Sequence, residues 1–157
     1  WIRRAPRPML AAAVFFAIAF IINHSGKNLD WELINPDLNI VSLLANSAAA
    51  AFGHFYPLTA PFLGLLGGFV SGSETSAIAM LTKLHLSTAE KIGALGLLIA
   101  AASGIGGGLA SVISPAKLQN ASASIDRIGE EGSVLRTTFV ISILITAVCA
   151  LMVLIWA

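Results

Sequence analysis

The run 134–156 is the feature that most constrains this chain, because it is apolar almost throughout and carries its one charge, Arg136, close to its start. A helix needs about 20 largely apolar residues to cross a hydrocarbon core about 30 Å thick, and this run supplies them, ending on Trp156, a residue suited to the lipid–water interface. A second run, 93–113, contains no charged residue and meets the same requirement. Both predict transmembrane helices. Composition agrees: 11% of the residues are charged, against about 25% in a chain that must wet its own surface. The expected fold is an all-α integral membrane protein.

The remaining apolar runs are shorter. Residues 8–22 predict a helix closed by Asn23-His24-Ser25-Gly26, and 23–39, with Asp30, Trp31, Glu32, Pro36 and Asp37, reads as a polar interfacial connection. Residues 40–52 and 57–70 are separated by Gly53-His54-Phe55-Tyr56-Pro57, where glycine and proline oppose an uninterrupted helix. They have the length of broken spans or re-entrant half-helices, which survive at membrane depth only when packed inside protein, as part of a larger transporter bundle. Arg3, Arg4 and Arg7 favour a cytoplasmic start, and Lys117, Arg127 and Arg136 favour the same side before the last helix. Arg3, Arg4 and the apolar run after them imitate a signal peptide, but no cleavage site and soluble sequence follow. The opening Trp1 in place of methionine predicts further sequence upstream.

Several function classes drop out. The net charge of +1, with basic residues on no single predicted face, gives no footprint for nucleic acid. Cys149 is the single cysteine, and His24, His54 and His85 lack metal-ligand spacing, so neither a metal site nor a cofactor is expected. Neither Ser71 nor Ser73 has the flanking glycines of a nucleophile elbow, and no enzyme motif survives.

Chemistry concentrates in Ser71-Gly72-Ser73-Glu74-Thr75-Ser76, where one ionisable group and four hydroxyls stand between apolar runs. A charge near the bilayer centre costs at least about 2.5 kcal/mol on insertion scales, so such a residue lines a polar cavity or finds a partner. Glu74 is therefore the first candidate for proton exchange. Ser73, Thr75, Ser76 and the amides of a helix starting near Ala77 offer donors for a carboxylate beside a flexible Gly72. An equally good reading makes Ser73 the cap of that helix, with Glu74 in its first turn where an acid suits the dipole. His54, between membrane runs, is a candidate for a proton relay, with a hydrogen-bonded structural role as the alternative. Gly64, Gly68 and Gly72, and again Gly104 and Gly108, recur every four residues and predict close helix packing. Lys117 reads as an interfacial anchor or as a substrate contact.

Phe62-Leu63-Gly64-Leu65-Leu66-Gly67, Ser71-Gly72-Ser73-Glu74-Thr75-Ser76, and Gly106-Gly107-Gly108 leading to Ile113-Ser114-Pro115 occur in that order. With Ala17 to Gly26 they make the chain resemble the L-lactate permease family over nearly its whole length. The resemblance implies the carboxy-terminal quarter or third of a multi-pass permease of the bacterial inner membrane, whose amino-terminal part lies upstream. It implies proton-coupled transport of lactate, glycolate or a related 2-hydroxy monocarboxylate. Ser71, Gly72, Ser73, Thr75, Ser76 and Ser114 then become candidate substrate contacts, and Glu74 and His54 candidate proton-coupling residues. Three positions depart from the family pattern: Glu74 in place of Asp, Ile78 in place of Asn, and Ser111 in place of Lys. The rival expectations are an exchanger for another organic anion and a non-transporting membrane scaffold.

Overall fold

In a computed structural model, residues 6–157 are described; Arg3 and Arg4, on which the orientation argument leans, lie outside them. The elements are α1 (Pro6–His24), α2 (Ile40–Phe52), α3 (Tyr56–Ser71), α4 (Glu74–Ile92), α5 (Gly96–Leu109), α6 (Pro115–Ser124) and α7 (Glu131–Trp156). Among the described residues the only β pairing is a single bridge between Lys27 and Leu33. The chain is all-α, and three helical stretches, Ile40–Ser71, Gly96–Ser124 and Glu131–Trp156, are long and apolar enough to cross a membrane.

The first of these contains α2 and α3, joined by a single 3-10 turn at Gly53–Phe55. Gly53 has φ 49°, a conformation open to glycine at little steric cost, and Pro57 sits in the first turn of α3, where its missing N–H is not required. The glycine and proline that interrupt the sequence therefore bend the path and restart the helix.

A knot of polar contacts holds the end of α1 to α2 and α4. Asn39 caps α2, its Oδ1 accepting the Ser42 amide at 2.9 Å, while its Nδ2 donates to the Ser25 carbonyl at 2.8 Å. Lys83, midway along α4, donates Nζ to the Asn23 carbonyl at 2.9 Å, placing a cation at the negative end of α1.

α5 packs against both α3 and α4, which also touch each other, and α7 packs on α3 and α5. The α3–α5 seam is made by missing side chains. A Cβ on Gly64 would fall on the Ser103 carbonyl oxygen, one on Gly106 on that of Pro61, and one on Gly68 would lie 2.6 Å from that of Gly107. Here the expected glycine register needs correction. Gly104 and Gly108 face α4, toward Ile78 and Glu74, Ser103 and Gly106 face α3, and Gly107 lies where the two faces meet, against Ala77 of α4 and Gly64 of α3. Gly72 packs in neither seam; it ends α3 in the left-handed conformation.

α7 reverses the habit of a water-soluble helix. Its buried stripe is Ser142, Thr146, Ala150 and Val153, whereas Phe139, Leu144, Ile145, Val148, Leu151 and Ile155 are exposed. In water such an apolar face would drive association; in a bilayer the large side chains meet lipid and the small ones let helices approach.

Candidate functional site

Ser71 is the last residue of α3, and Glu74 the first of α4, so Gly72 and Ser73 form the tip of a helical hairpin. Gly72, at φ 66°, donates its amide to the Gly68 carbonyl at 2.8 Å and closes α3. Ser73 is extended and caps α4: its Oγ accepts the Ser76 amide at 3.3 Å and its carbonyl the Ala77 amide at 3.1 Å. Ser71 Oγ donates to the Ser73 carbonyl at 2.9 Å. The capping role of Ser73 is thus realised, and it leaves the Glu74 and Thr75 amides without intrahelical acceptors.

A second helix start meets this tip. Ile113-Ser114-Pro115 ends the α5 stretch because proline has no N–H to donate and clashes with a continuing helix, and α6 begins at Pro115 with Ser114 as its cap residue. The Ser114 carbonyl accepts the Lys117 and Leu118 amides at 3.1 and 3.0 Å. Its hydroxyl does not cap. Ser114 is 1% exposed and its Oγ has no hydrogen-bond partner. A Cβ built on Gly72 would lie 3.2 Å from that oxygen, so Ser114 Oγ points at the hairpin tip. The start of α6 and the tip from which α4 begins therefore meet at one unsatisfied buried hydroxyl, where α3 and the α5 stretch also end.

Glu74 stands at the rim. Its carboxylate lies against α5 at Gly108, where an added Cβ would be 3.4 Å from Oε2. From there an open groove of about 480 Å³ runs between α4 and α5, lined by Glu74, Ile78, Thr82, Leu97, Ala101 and Gly104. Glu74 and Thr75 are exposed, and Ser76 is buried under the turn it closes.

Of the expected site residues, Ser71, Gly72, Ser73, Glu74, Thr75, Ser76 and Ser114 are gathered here. His54 is not. It is exposed on the 3-10 turn before α3, and the 16 residues of that helix, about 24 Å at 1.5 Å each, separate it from the tip. Another histidine is buried instead: His85 is fully enclosed, its Nδ1 2.8 Å from the Tyr56 hydroxyl and its Nε2 without a partner. A further contact escaped the sequence reading. Lys117 donates Nζ to Ser111 Oγ at 2.8 Å. Six residues is no helical repeat, and only the break at Ser114-Pro115 brings the pair together.

These features define an all-α, multi-pass membrane protein with helix amino-termini and an acidic side chain gathered around a break between apolar segments. The chain belongs to the L-lactate permease family, whose model matches residues 2–157. It is 33% identical to the L-lactate permease of Escherichia coli K12 over 141 residues, 90% of this chain and 23% of that protein. It is 31% identical to the glycolate permease of the same strain over 150 residues, 96% of this chain and 24% of that protein. With the L-lactate permease of Bacillus subtilis it shares 30% over 131 residues, 83% of this chain and 21% of the relative. The chain thus spans about a quarter of the length of these relatives. No solved structure matches it.

Proposed function

We propose that this chain supplies part of the substrate site of a secondary transporter for small 2-hydroxy monocarboxylates, lactate or glycolate, coupled to protons in a bacterial inner membrane. The carrying observation is the convergence of the α4 and α6 amino-termini on the unpartnered, buried Ser114 hydroxyl. Free amides at a helix start, together with the dipole behind them, favour an anion, and a hydroxyl able to donate supplies the remaining directional bond. The names of the relatives, lactate and glycolate permeases, supply the anion's identity.

In this reading the carboxylate is held by the Glu74 and Thr75 amides and by Ser114, with Gly72 keeping the approach clear and Ser71, Ser73 and Ser76 bracing the tip. Glu74 takes up the proton. An ionised Glu74 beside a bound carboxylate places two like charges together, and a protonated one removes the repulsion, so substrate and proton favour each other's binding. The symmetry of this thermodynamic coupling is what a symporter requires.

The test is Glu74→Gln in the complete gene product, reconstituted in proteoliposomes. The variant should lose accumulation of L-lactate driven by a pH gradient and retain lactate-for-lactate exchange. Accumulation equal to the native protein at every pH would overturn the coupling role of Glu74.

A further inference from the structure

Resting on that reading, we propose that Lys117 is the charge partner of the substrate carboxylate and sets the preference of the site for a monoanion, with Ser111 positioning its ammonium group. Lys117 occupies the first turn of α6, where a cation opposes the helix dipole and an acid would be favoured. Among the described residues it has no carboxylate within ion-pair distance, the one salt bridge being Arg127–Glu130. Lys117 is exposed and its reach fits an interfacial anchor, but anchoring does not require a cation that opposes its own helix or that is fixed on a hydroxyl.

Its placement does have an explanation at the site. The ammonium is held 2.8 Å from Ser111 Oγ, one helical turn beyond Gly108, against which the Glu74 carboxylate rests. Three residues beyond Ser111 is the unpartnered Ser114 hydroxyl. The stretch 108–114 therefore brings an acid, a base and a free hydroxyl to one end of α5. Because Ser111 Oγ accepts from Lys117, its own proton remains available to a ligand oxygen.

The charges decide the role. The two helix amino-termini contribute about +0.5 each and the carboxy-termini of α3 and of the α5 stretch, which end at the same place, about −0.5 each, so an ionised Glu74 without Lys117 leaves the site near −1 and repels an anion. Lys117 brings it to about neutral, and to about +1, the complement of one carboxylate, once Glu74 holds its proton. A lysine also acts as a compact point charge, unlike the bidentate fork of arginine, which suits one oxygen already shared with backbone amides.

The experiment measures KM and the maximal rate of L-lactate exchange by the complete gene product in proteoliposomes, for Lys117→Ala, Lys117→Arg, the double variant Ser111→Lys/Lys117→Ala, and Ser114→Ala. Lys117→Ala should raise KM at least tenfold, and Lys117→Arg should recover part of the loss. The double variant, which carries the cation on position 111 itself, should bring KM to within about threefold of native. A Lys117→Ala KM within twofold of native overturns the proposal, as does a raised KM that neither Lys117→Arg nor the double variant lowers. If Ser114→Ala raises KM while Lys117→Ala does not, the carboxylate site stands and the role of Lys117 falls. If neither changes KM, the site itself is elsewhere.

Discussion

The α3–α5 seam makes a quantitative prediction because the same substitution has opposite expected effects at two glycines. In Gly68→Ala the new Cβ would lie 2.6 Å from the Gly107 carbonyl oxygen and 2.7 Å from Ala110 Cβ. Ordinary contacts between heavy atoms lie at about 3.5–4.0 Å, so α3 and α5 must part by about 1 Å. Helices move as rigid bodies, and the parting also loosens the close approaches at Gly64 and Gly106. Overpacking of this kind costs about 1–3 kcal/mol, and the gain in helix propensity from Gly to Ala returns about 1 kcal/mol, leaving a net loss of up to about 2 kcal/mol. In Gly104→Ala the nearest atom is Ile78 Cδ1 at 3.6 Å, an ordinary contact. There the propensity term acts alone and the variant should be as stable as the native protein or more so. The assay is the apparent melting temperature of the detergent-solubilised gene product, read as the loss of monodisperse protein on size exclusion. The expected order is Gly68→Ala below native, and Gly104→Ala at or above native. Equal shifts for the two variants would refute the assigned register of α5.

Tyr56→Phe should destabilise by about 1–3 kcal/mol, because it leaves the enclosed His85 Nδ1 without its partner, whereas replacing both residues with phenylalanine should recover much of that loss; a double-variant cycle of melting temperatures measures the coupling, and additive shifts would argue against the bond. Gly72→Ala should cost about 1–2 kcal/mol from its left-handed backbone alone. Because the added methyl would lie 3.2 Å from Ser114 Oγ, it should also raise the KM for L-lactate. Destabilisation with an unchanged KM would detach Gly72 from the substrate.

The membrane character and the all-α class are legible in 134–156 and 93–113, because run length against bilayer thickness is a strong physical constraint and few charges interrupt these runs. Apolar run length is a poor guide to α4. That helix carries Thr82, Lys83, His85, Ser87 and Thr88, yet His85 and Thr88 are completely buried, with Thr88 returning its hydroxyl to the Leu84 carbonyl at 2.8 Å and Lys83 engaged by the end of α1. Thr88 is satisfied within its own helix, whereas His85 and Lys83 find partners on distant parts of the chain, Tyr56 and Asn23, which leave no local signature. The hairpin tip was visible as an acid and four hydroxyls between apolar runs, and so was the cap at Ser73. What the pattern alone leaves open is which second element meets the tip. That depends on the break at Pro115, where Ser114 faces Gly72 and Lys117 reaches Ser111, a three-dimensional consequence that spacing does not fix. The four-residue glycine spacing likewise reveals that helices approach closely, while the choice between Gly104 and Gly106 as the contact with α3 is one of helical angle that spacing leaves undetermined.

The central claim is that a monocarboxylate binds where the α4 and α6 amino-termini converge. The most direct measurement is an experimental structure of the complete gene product with L-lactate bound. The account predicts the lactate carboxylate within hydrogen-bonding distance of Ser114 Oγ and the Glu74 and Thr75 amides, beside the Lys117 ammonium. Lactate held by residues outside 71–76 and 111–117 would contradict it.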